Sequence, residues 1–322
     1  MSRIIRVVAT SLGVYEDARP PHNLREPEPS ANLDRALALL DAAGRHGADL
    51  VCLPEGFVAA GLAASRVRDV AEPIPGPAFD AVATFARRYH MYVVAGFYRQ
   101  VRSRLVNVAA VIGRDGDLVG TYAKQHPTDG EIELGVDPGT TPGVFDTELG
   151  RIGVATCFDV NWHEVWNEFS RQRVELACWL SGYQGGFPLR AYAAIHHIPI
   201  VTSVWPFGAR VIDLTGGVIA ATSMWNPIAV VDLDLDTRLF HTDYQADRVL
   251  PLQQKYGHRL RVEAYTEEHV FTLSSLDPDL RLDDVINEFQ LIDYDHYIER
   301  CAQAQKLAQA APMAEQPQTR AT

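Results

Sequence analysis

The run Arg151-Ile-Gly-Val-Ala-Thr-Cys157-Phe-Asp159 decides how this chain is read. Its apolar and β-branched residues predict a strand that ends in a cysteine. A turn follows at once, and helix-like sequence starts near His163. A thiol at a strand end is held rigidly, and the next backbone N–H groups lie free at the turn. Those groups can stabilise an oxyanion, so the position suits a nucleophile. Read alone, one such cysteine is more often a small buried apolar residue. Partners elsewhere in the chain change the balance.

One partner is Glu55, in Ala48-Asp-Leu-Val-Cys-Leu-Pro-Glu55-Gly56. A short apolar run again ends in a polar residue, which places a carboxylate at the rim of a sheet. It can take the thiol proton and later activate water; the alternative is a solvated loop glutamate. The other partner is Lys124, in Gly120-Thr-Tyr-Ala-Lys124-Gln-His-Pro127. It follows a hairpin pattern, with Leu105 to Ile112, a turn at Asp115-Gly116, and Leu118 to Tyr122. An ammonium there can lower the thiol pKa and bind an oxyanion. An ordinary surface lysine is the other reading.

The ordered set Leu53-Pro-Glu55, Tyr122-Ala-Lys124-Gln-His-Pro, Pro138-Gly139, Val144-Phe-Asp-Thr and Gly150-Arg-Ile-Gly-Val-Ala-Thr-Cys157-Phe-Asp resembles the nitrilase superfamily of carbon–nitrogen hydrolases. The resemblance covers nearly all of residues 3–275. It implies a four-layer α-β-β-α sandwich of two mixed sheets with pseudo-symmetric halves. It also implies a Glu-Lys-Cys triad at Glu55, Lys124 and Cys157, with the backbone N–H of Phe158 as an oxyanion donor. A second glutamate beyond the lysine orients the triad in this family. Glu131 fits by spacing from Lys124, and Glu133 fits by spacing back from Pro138-Gly139. The implied chemistry is a thiol hydrolase with a thioester intermediate and no metal or organic cofactor. The family also implies a homo-oligomer, at least a dimer, associating through outer helices.

Periodicity independently gives α/β with mixed sheets. Strand patterns alternate with helix patterns, among them a helix near 163–172, a strand at 175–180, a helix at 188–197 and a strand at 199–204. Asn32 is read as the cap of a helix carrying Leu33, Ala36, Leu37 and Leu40. A hydrolase domain is expected over 1–280, a helical extension over 281–308 and a disordered tail over 309–322.

The net charge of −12 argues against a nucleic-acid surface and against anionic membranes. Four cysteines, with no CxxC pair or zinc-finger spacing, fit reduced thiols and a cytoplasmic setting. The N-terminal apolar run is too short for a signal peptide and reads as a first strand. No stretch reaches the length of a membrane span.

Substrate class is the thinnest part of the reading. Cys157-Phe-Asp is similar to amidase-like branches, whereas the Lys-x-x-Pro-Thr segment is nitrilase-like. Carbamoylase-like arginines around the cysteine are missing. A small linear amide is therefore the expected substrate, with a nitrile as runner-up and an inactive binding or scaffold member as the non-enzyme alternative. Trp162, Tyr183 and Glu133 are candidate substrate-binding residues. Phe187, Trp205 and Trp225 also fall near loop ends, where core or interface packing is the competing role. His126 is read as a loop histidine and Asp159 as a turn cap, rather than as chemistry. No metal site is assigned to His196-His197, because adjacent residues on a helix face different directions.

Overall fold

The computed structural model describes residues 3–13, 27–277 and 279–310. The chain forms two compact units. One runs from Ile5 to Leu233, and the other combines the residues up to Ile4 with those from Asp234 onward. The span 1–280 expected as the hydrolase domain takes in the first unit and part of the second.

The first unit is built on β1 (Ile4–Ser11), β2 (Leu50–Cys52), β3 (Tyr92–Val101), β4 (Arg104–Ile112), β5 (Leu118–Ala123) and β6 (Val144–Thr147). It continues with β7 (Gly150–Thr156), β8 (Leu176–Ser181), β9 (Ile200–Val204), β10 (Arg210–Ile212), β11 (Val218–Ala221) and β12 (Ile228–Asp234). Its helices are α1 (Pro29–Arg45), α2 (Pro77–Tyr89), α3 (Asp129–Glu133), α4 (His163–Arg171) and α5 (Phe187–His196).

Two βαβαβ runs organise these elements: β1-α1-β2-α2-β3 and β7-α4-β8-α5-β9. Parallel neighbours need such crossovers, and helices supply them. The main strand order is β5-β4-β3-β2-β1-β9-β8-β7-β6. The two runs are joined where β1 pairs in parallel with β9, Thr10 opposite Ser203. The two sheet layers expected from the resemblance are thus one continuous sheet folded on itself. Strand β3 contacts β8 and β4 contacts β7 across the interior. Outside, α1 packs on α2 and α4 on α5, completing the α-β-β-α sandwich.

Local sequence explains the outer layers. Helix α2 buries Ala78, Phe79, Val82, Ala83 and Ala86, one apolar face at helical spacing. Helix α4 buries Val165, Trp166 and Phe169. The Phe169 ring presses on β7 at Gly153, where an added Cβ would lie 3.0 Å from the ring. Helix α1 departs from the expectation at its start. Pro29 at the first helical position starts it earlier, with Glu28 as the N-cap residue. Asn32 is therefore inside the helix, fully buried, and its Nδ2 donates to the carbonyl of Ala60 at 2.8 Å.

Topology then fixes where chemistry can collect. Strands β3, β2, β1, β9, β8 and β7 are all parallel neighbours. Their carboxyl ends share one edge, the usual place for a ligand site in an α/β sheet. Strand β5 is antiparallel to β4, which is antiparallel to β3, so β5 ends at that edge as well.

In the second unit, β13 (Arg238–His241), β14 (Leu260–Tyr265) and β15 (Val270–Ser275) form an antiparallel sheet in the order β13-β15-β14. With α6 (Val249–Tyr256) and α7 (Leu282–Phe289) it encloses Phe240, Leu252, Phe271, Leu273 and Val285. The helical extension expected over 281–308 consists of two helices, α7 and α8 (Tyr294–Ala310). They are separated after Gln290, whose φ of 50° leaves the helical region. Helix α8 takes in residues 309 and 310 of the expected tail, and the rest of that tail lies outside the described residues. Among the described residues no helix is long and apolar enough to cross a membrane.

Candidate active site

Three strand ends deliver the central side chains. Glu55 follows β2, Lys124 follows β5 and Cys157 follows β7. The Lys124 ammonium is 1% exposed and lies 2.9 Å from Glu55 Oε1 and 2.6 Å from Glu131 Oε2. Its backbone is fixed on both sides: Lys124 N–H donates to Asn107 O, and Lys124 O accepts from Gly139 N–H at 2.8 Å. Glycine is required at 139, since a Cβ there would stand 2.1 Å from the Ala123 carbonyl oxygen.

The two candidates for the second glutamate separate cleanly. Glu131 lies in α3, where Thr128 Oγ1 accepts from Glu131 N–H and Glu131 Oε2 accepts from Thr128 N–H at 2.8 Å. This capping box points the Glu131 carboxylate back onto Lys124. Glu133, two residues later, is exposed, and no hydrogen bond or ion pair joins it to the cluster among the described residues. Of the two spacings, the one counted from Lys124 brings a glutamate onto the ammonium, and the one counted back from Pro138-Gly139 does not.

Cys157 sits at the start of a 3₁₀ turn over Cys157–Asn161 with φ 49°, a left-handed conformation that costs a non-glycine residue energy. Fully buried Asp159 holds the turn. It accepts from Thr156 N–H at 2.8 Å, Tyr122 Oη–H at 2.7 Å and His126 N–H at 3.0 Å. The Cys157 carbonyl accepts from Trp179 Nε1–H at 3.1 Å. The Phe158 N–H precedes the first bonded position of the turn, so it has no acceptor within it.

Burial and charge set the protonation states. Burial raises the Cys157 thiol pKa, and the Glu55 carboxylate raises it further. Lys124 and the Ser181 hydroxyl pull it down without prevailing. The expected downward pull of Lys124 on the thiol is present, but burial and Glu55 act against it and the net shift is upward. For Lys124 burial acts downward, but Glu55, Cys157 and Glu131 outweigh it and hold the ammonium charged. Burial pushes Glu131 up, and Lys124 more than reverses this, leaving its pKa below the usual glutamate value.

Trp162 stacks on His126 at 4.2 Å between ring centres and meets Phe158 edge-on at 5.0 Å. His126 Nδ1 lies 3.0 Å from Asp159, the turn-fixing role read from the sequence. Burial, then Cys157 and Glu55, push the Tyr183 phenol up to about 12. Trp205 donates Nε1–H to the Glu55 carbonyl at 2.6 Å and so braces the carboxylate's backbone. Phe187 and Trp225 are 73% and 86% exposed. Cys52 and Cys178 are buried, free core thiols.

Two residues that the sequence reading did not single out belong here. Tyr98, on β3, covers Gly56 and is raised by burial and then by Glu55 and Glu131. Asn107, on β4, donates to both Glu55 and Glu131. Its signal was a single amide in the otherwise apolar run Leu105 to Ile112.

A family model described as carbon-nitrogen hydrolase matches residues 18–238, more than half of the chain. The chain belongs to the carbon-nitrogen hydrolase family. Omega-amidase NIT2 of Bos taurus is 32% identical over 169 residues, covering 50% of this chain and 59% of that protein. The bifunctional nitrilase/nitrile hydratase NIT4A of Lupinus angustifolius is 29% identical over 167 residues, 46% of this chain and 48% of that protein. The chain thus matches less than two thirds of the length of these curated relatives. Nit3 of Saccharomyces cerevisiae shares the fold with a TM-score of 0.63 at 20% identity, over 72% of this chain and 90% of that one. An amidase from Nesterenkonia sp. shares it at 0.59 and 19% identity, over 78% and 96%.

Proposed function

We propose that this carbon–nitrogen hydrolase cleaves small linear amides through a thioester on Cys157, releasing ammonia or an amine. The observation that carries the reading is the buried Lys124 ammonium, held between Glu55 and Glu131 beside a strained strand-end cysteine. The similarity to omega-amidases supports it.

Each step has a residue for it. The Cys157 sulfur adds to the amide carbon while its proton passes to Glu55. The carbonyl π pair becomes an oxyanion, met by the Lys124 ammonium and the Phe158 N–H. The C–N bond breaks, and the nitrogen leaves with the proton from Glu55. Glu55 then takes a proton from water as the oxygen adds to the thioester. The C–S bond breaks, the sulfur recovers its proton and the acid departs. Glu55 is the group assigned both to take the thiol proton and to activate water.

Glu55 Oε1 accepts from both Lys124 and Asn107, whereas Oε2 accepts from Gly182 N–H at 3.1 Å. Oε2 keeps a free lone pair and is the oxygen assigned as base. Glu131 Oε1 accepts from Asn107 and Oε2 from Lys124 and Thr128, and the carboxylate is turned onto the ammonium, so Glu131 is assigned the orienting role. The Trp162 and Tyr183 rings are proposed as substrate contacts. Arg190 donates to the Gly216 carbonyl at 3.0 Å, which supports a structural role and a poor fit for N-carbamoyl amino acids. The Lys124-x-x-Pro127-Thr128 segment and the likeness to the lupin protein favour nitrile hydrolysis as the second reading.

The test is ammonia release from a short aliphatic amide and its matched nitrile, by wild type, Cys157→Ala and Cys157→Ser. The expected result is amide faster than nitrile and no turnover by either variant. Full activity in Cys157→Ala would end the proposal, and turnover of neither substrate class by wild type would favour the scaffold reading. Iodoacetamide should label Cys157 ahead of Cys52 and Cys178, and Glu55→Gln should slow that labelling. Self-association, at least to a dimer, is proposed from the exposed Phe187 and Ile195 of α5 and is read by light scattering.

A further inference from the structure

Asn107 is fully buried on β4, and one side-chain nitrogen serves two carboxylates. Its Nδ2 donates to Glu55 Oε1 at 2.7 Å and to Glu131 Oε1 at 2.8 Å. Its Oδ1 is buried with no hydrogen-bond partner among the described residues. An unpaired buried carbonyl oxygen is costly, and a leucine would fill an apolar strand position without that cost. Nor can the amide turn over to relieve it. Reversed, the oxygen would face two carboxylate oxygens, so the neighbours fix the orientation.

We infer that Asn107 is a positioning residue of the amide-hydrolysing site: it clamps Glu55 and Glu131 together by their Oε1 atoms and leaves Glu55 Oε2 to take the Cys157 proton. The inference rests on the reading of Glu55 as base. An N–H donor bonds the charged carboxylate better than the neutral acid, and Asn107 is one of the groups that hold the Glu131 pKa down. With Lys124 and Asn107 both on Oε1, the carboxylate cannot rotate to offer that oxygen to the thiol. The same residue's carbonyl accepts from Lys124 N–H at 2.9 Å, so one strand position sets base, ammonium and second glutamate together. The titratable groups around Glu55 are Lys124 after β5, Glu131 on α3, Cys157 after β7, Tyr98 on β3 and Tyr183 after β8.

The experiment measures the pH dependence of Cys157 alkylation by iodoacetamide, and of kcat and KM for an amide, in wild type, Asn107→Ala, Asn107→Asp and Asn107→Ser. In Asn107→Ala the acid limb of both profiles is expected to move up by roughly one pH unit, as donors to the charged carboxylates are lost. Alkylation below that limb should slow by about tenfold, and kcat should fall while KM holds. Asn107→Asp, of the same shape but adding a carboxylate, should move the limb at least as far. Asn107→Ser, which keeps one short donor, should fall between Asn107→Ala and wild type. Folded variants whose profiles stay in place, whatever their overall rate, would overturn the inference. Failure of all three to fold would overturn it too, by assigning Asn107 to the fold alone. A shifted alkylation profile in a protein that hydrolyses no amide would count against the amide reading and support the role of Asn107.

Discussion

Lys124 and Lys255 each face a glutamate, one in each compact unit. Lys124 is 1% exposed, and its partners Glu55 and Glu131 are 6% and 11% exposed. Lys255 pairs with Glu288, and these side chains are 50% and 42% exposed. The chemistry is the same and the surroundings are not. In water an ion pair is screened and gains little, whereas a buried one must offset desolvation with several good contacts. Lys124 does so with two carboxylates, which are themselves held by Asn107, Thr128 and Gly182. Lys255 has one carboxylate, with the Tyr256 and Phe289 rings beneath it. Such a network is poor economy for stability alone, which is why the buried pair reads as chemistry and the exposed one as surface.

Breaking the buried pair has the largest expected effect. In Lys124→Met two carboxylates would face each other with no cation between them. Removing one partner of a buried pair costs about 3–5 kcal/mol of stability. Losing the oxyanion contact proposed for Lys124 is expected to cost about 10²–10³ in kcat. Chemical denaturation and ammonia release from an amide measure the two effects. A stable, active Lys124→Met protein would erase the contrast between the two lysines.

Glu131→Gln is the next smaller break, because Glu55 remains to pair with Lys124. The kcat is expected to fall, and the pH dependence of stability to flatten. The Glu131 pKa is depressed in the fold. Its carboxylate therefore contributes stability that is fully present above the unfolded value near 4.5 and is lost as pH falls through the folded value. Wild type should lose Tm on acidification through that window, and Glu131→Gln should lose less. Parallel Tm–pH curves for the two proteins would mean that Glu131 stores no such linkage.

How far these residues could be read in advance follows from the range of the forces that place them. Glu55, Lys124 and Cys157 were legible because each ends a strand, and strand ends are marked locally by apolar runs and turn residues. Glu131 was legible in principle: Thr128-Asp-Gly-Glu131 is a capping-box spacing, and Glu133 has no such partner. Asn32 misled because capping preference was weighed without Pro29, three residues earlier, which starts the helix. Asn107 was hidden because its partners lie 52 and 24 residues away in the chain, and only the folded sheet brings them to one nitrogen. The joining of the two sheet layers through β1 and β9 is equally non-local, as it pairs Thr10 with Ser203. In the second unit, β13 to β15 were missed, since short strands of a three-stranded sheet carry little periodicity.

The smallest expected effect comes from the exposed pair. Lys255→Met keeps the aliphatic stem that lies along Tyr256 and Phe289 and removes only the charge. The Lys255 ammonium stands 5.3 Å from the Tyr256 ring centre, and Tyr256 also donates its hydroxyl to Glu288 at 2.7 Å. The carboxylate therefore keeps a partner and its hydration when the lysine is lost. Whatever stability the pair adds is a surface effect and should vanish in high salt, where the screening length falls to about 3 Å at 1 M. Activity and Tm of Lys255→Met should accordingly match wild type at that ionic strength. A fall of about tenfold in kcat/KM would break the comparison at its root. Exposure would then not be what separates the two pairs, and Lys255 would need a place in the chemistry alongside Lys124.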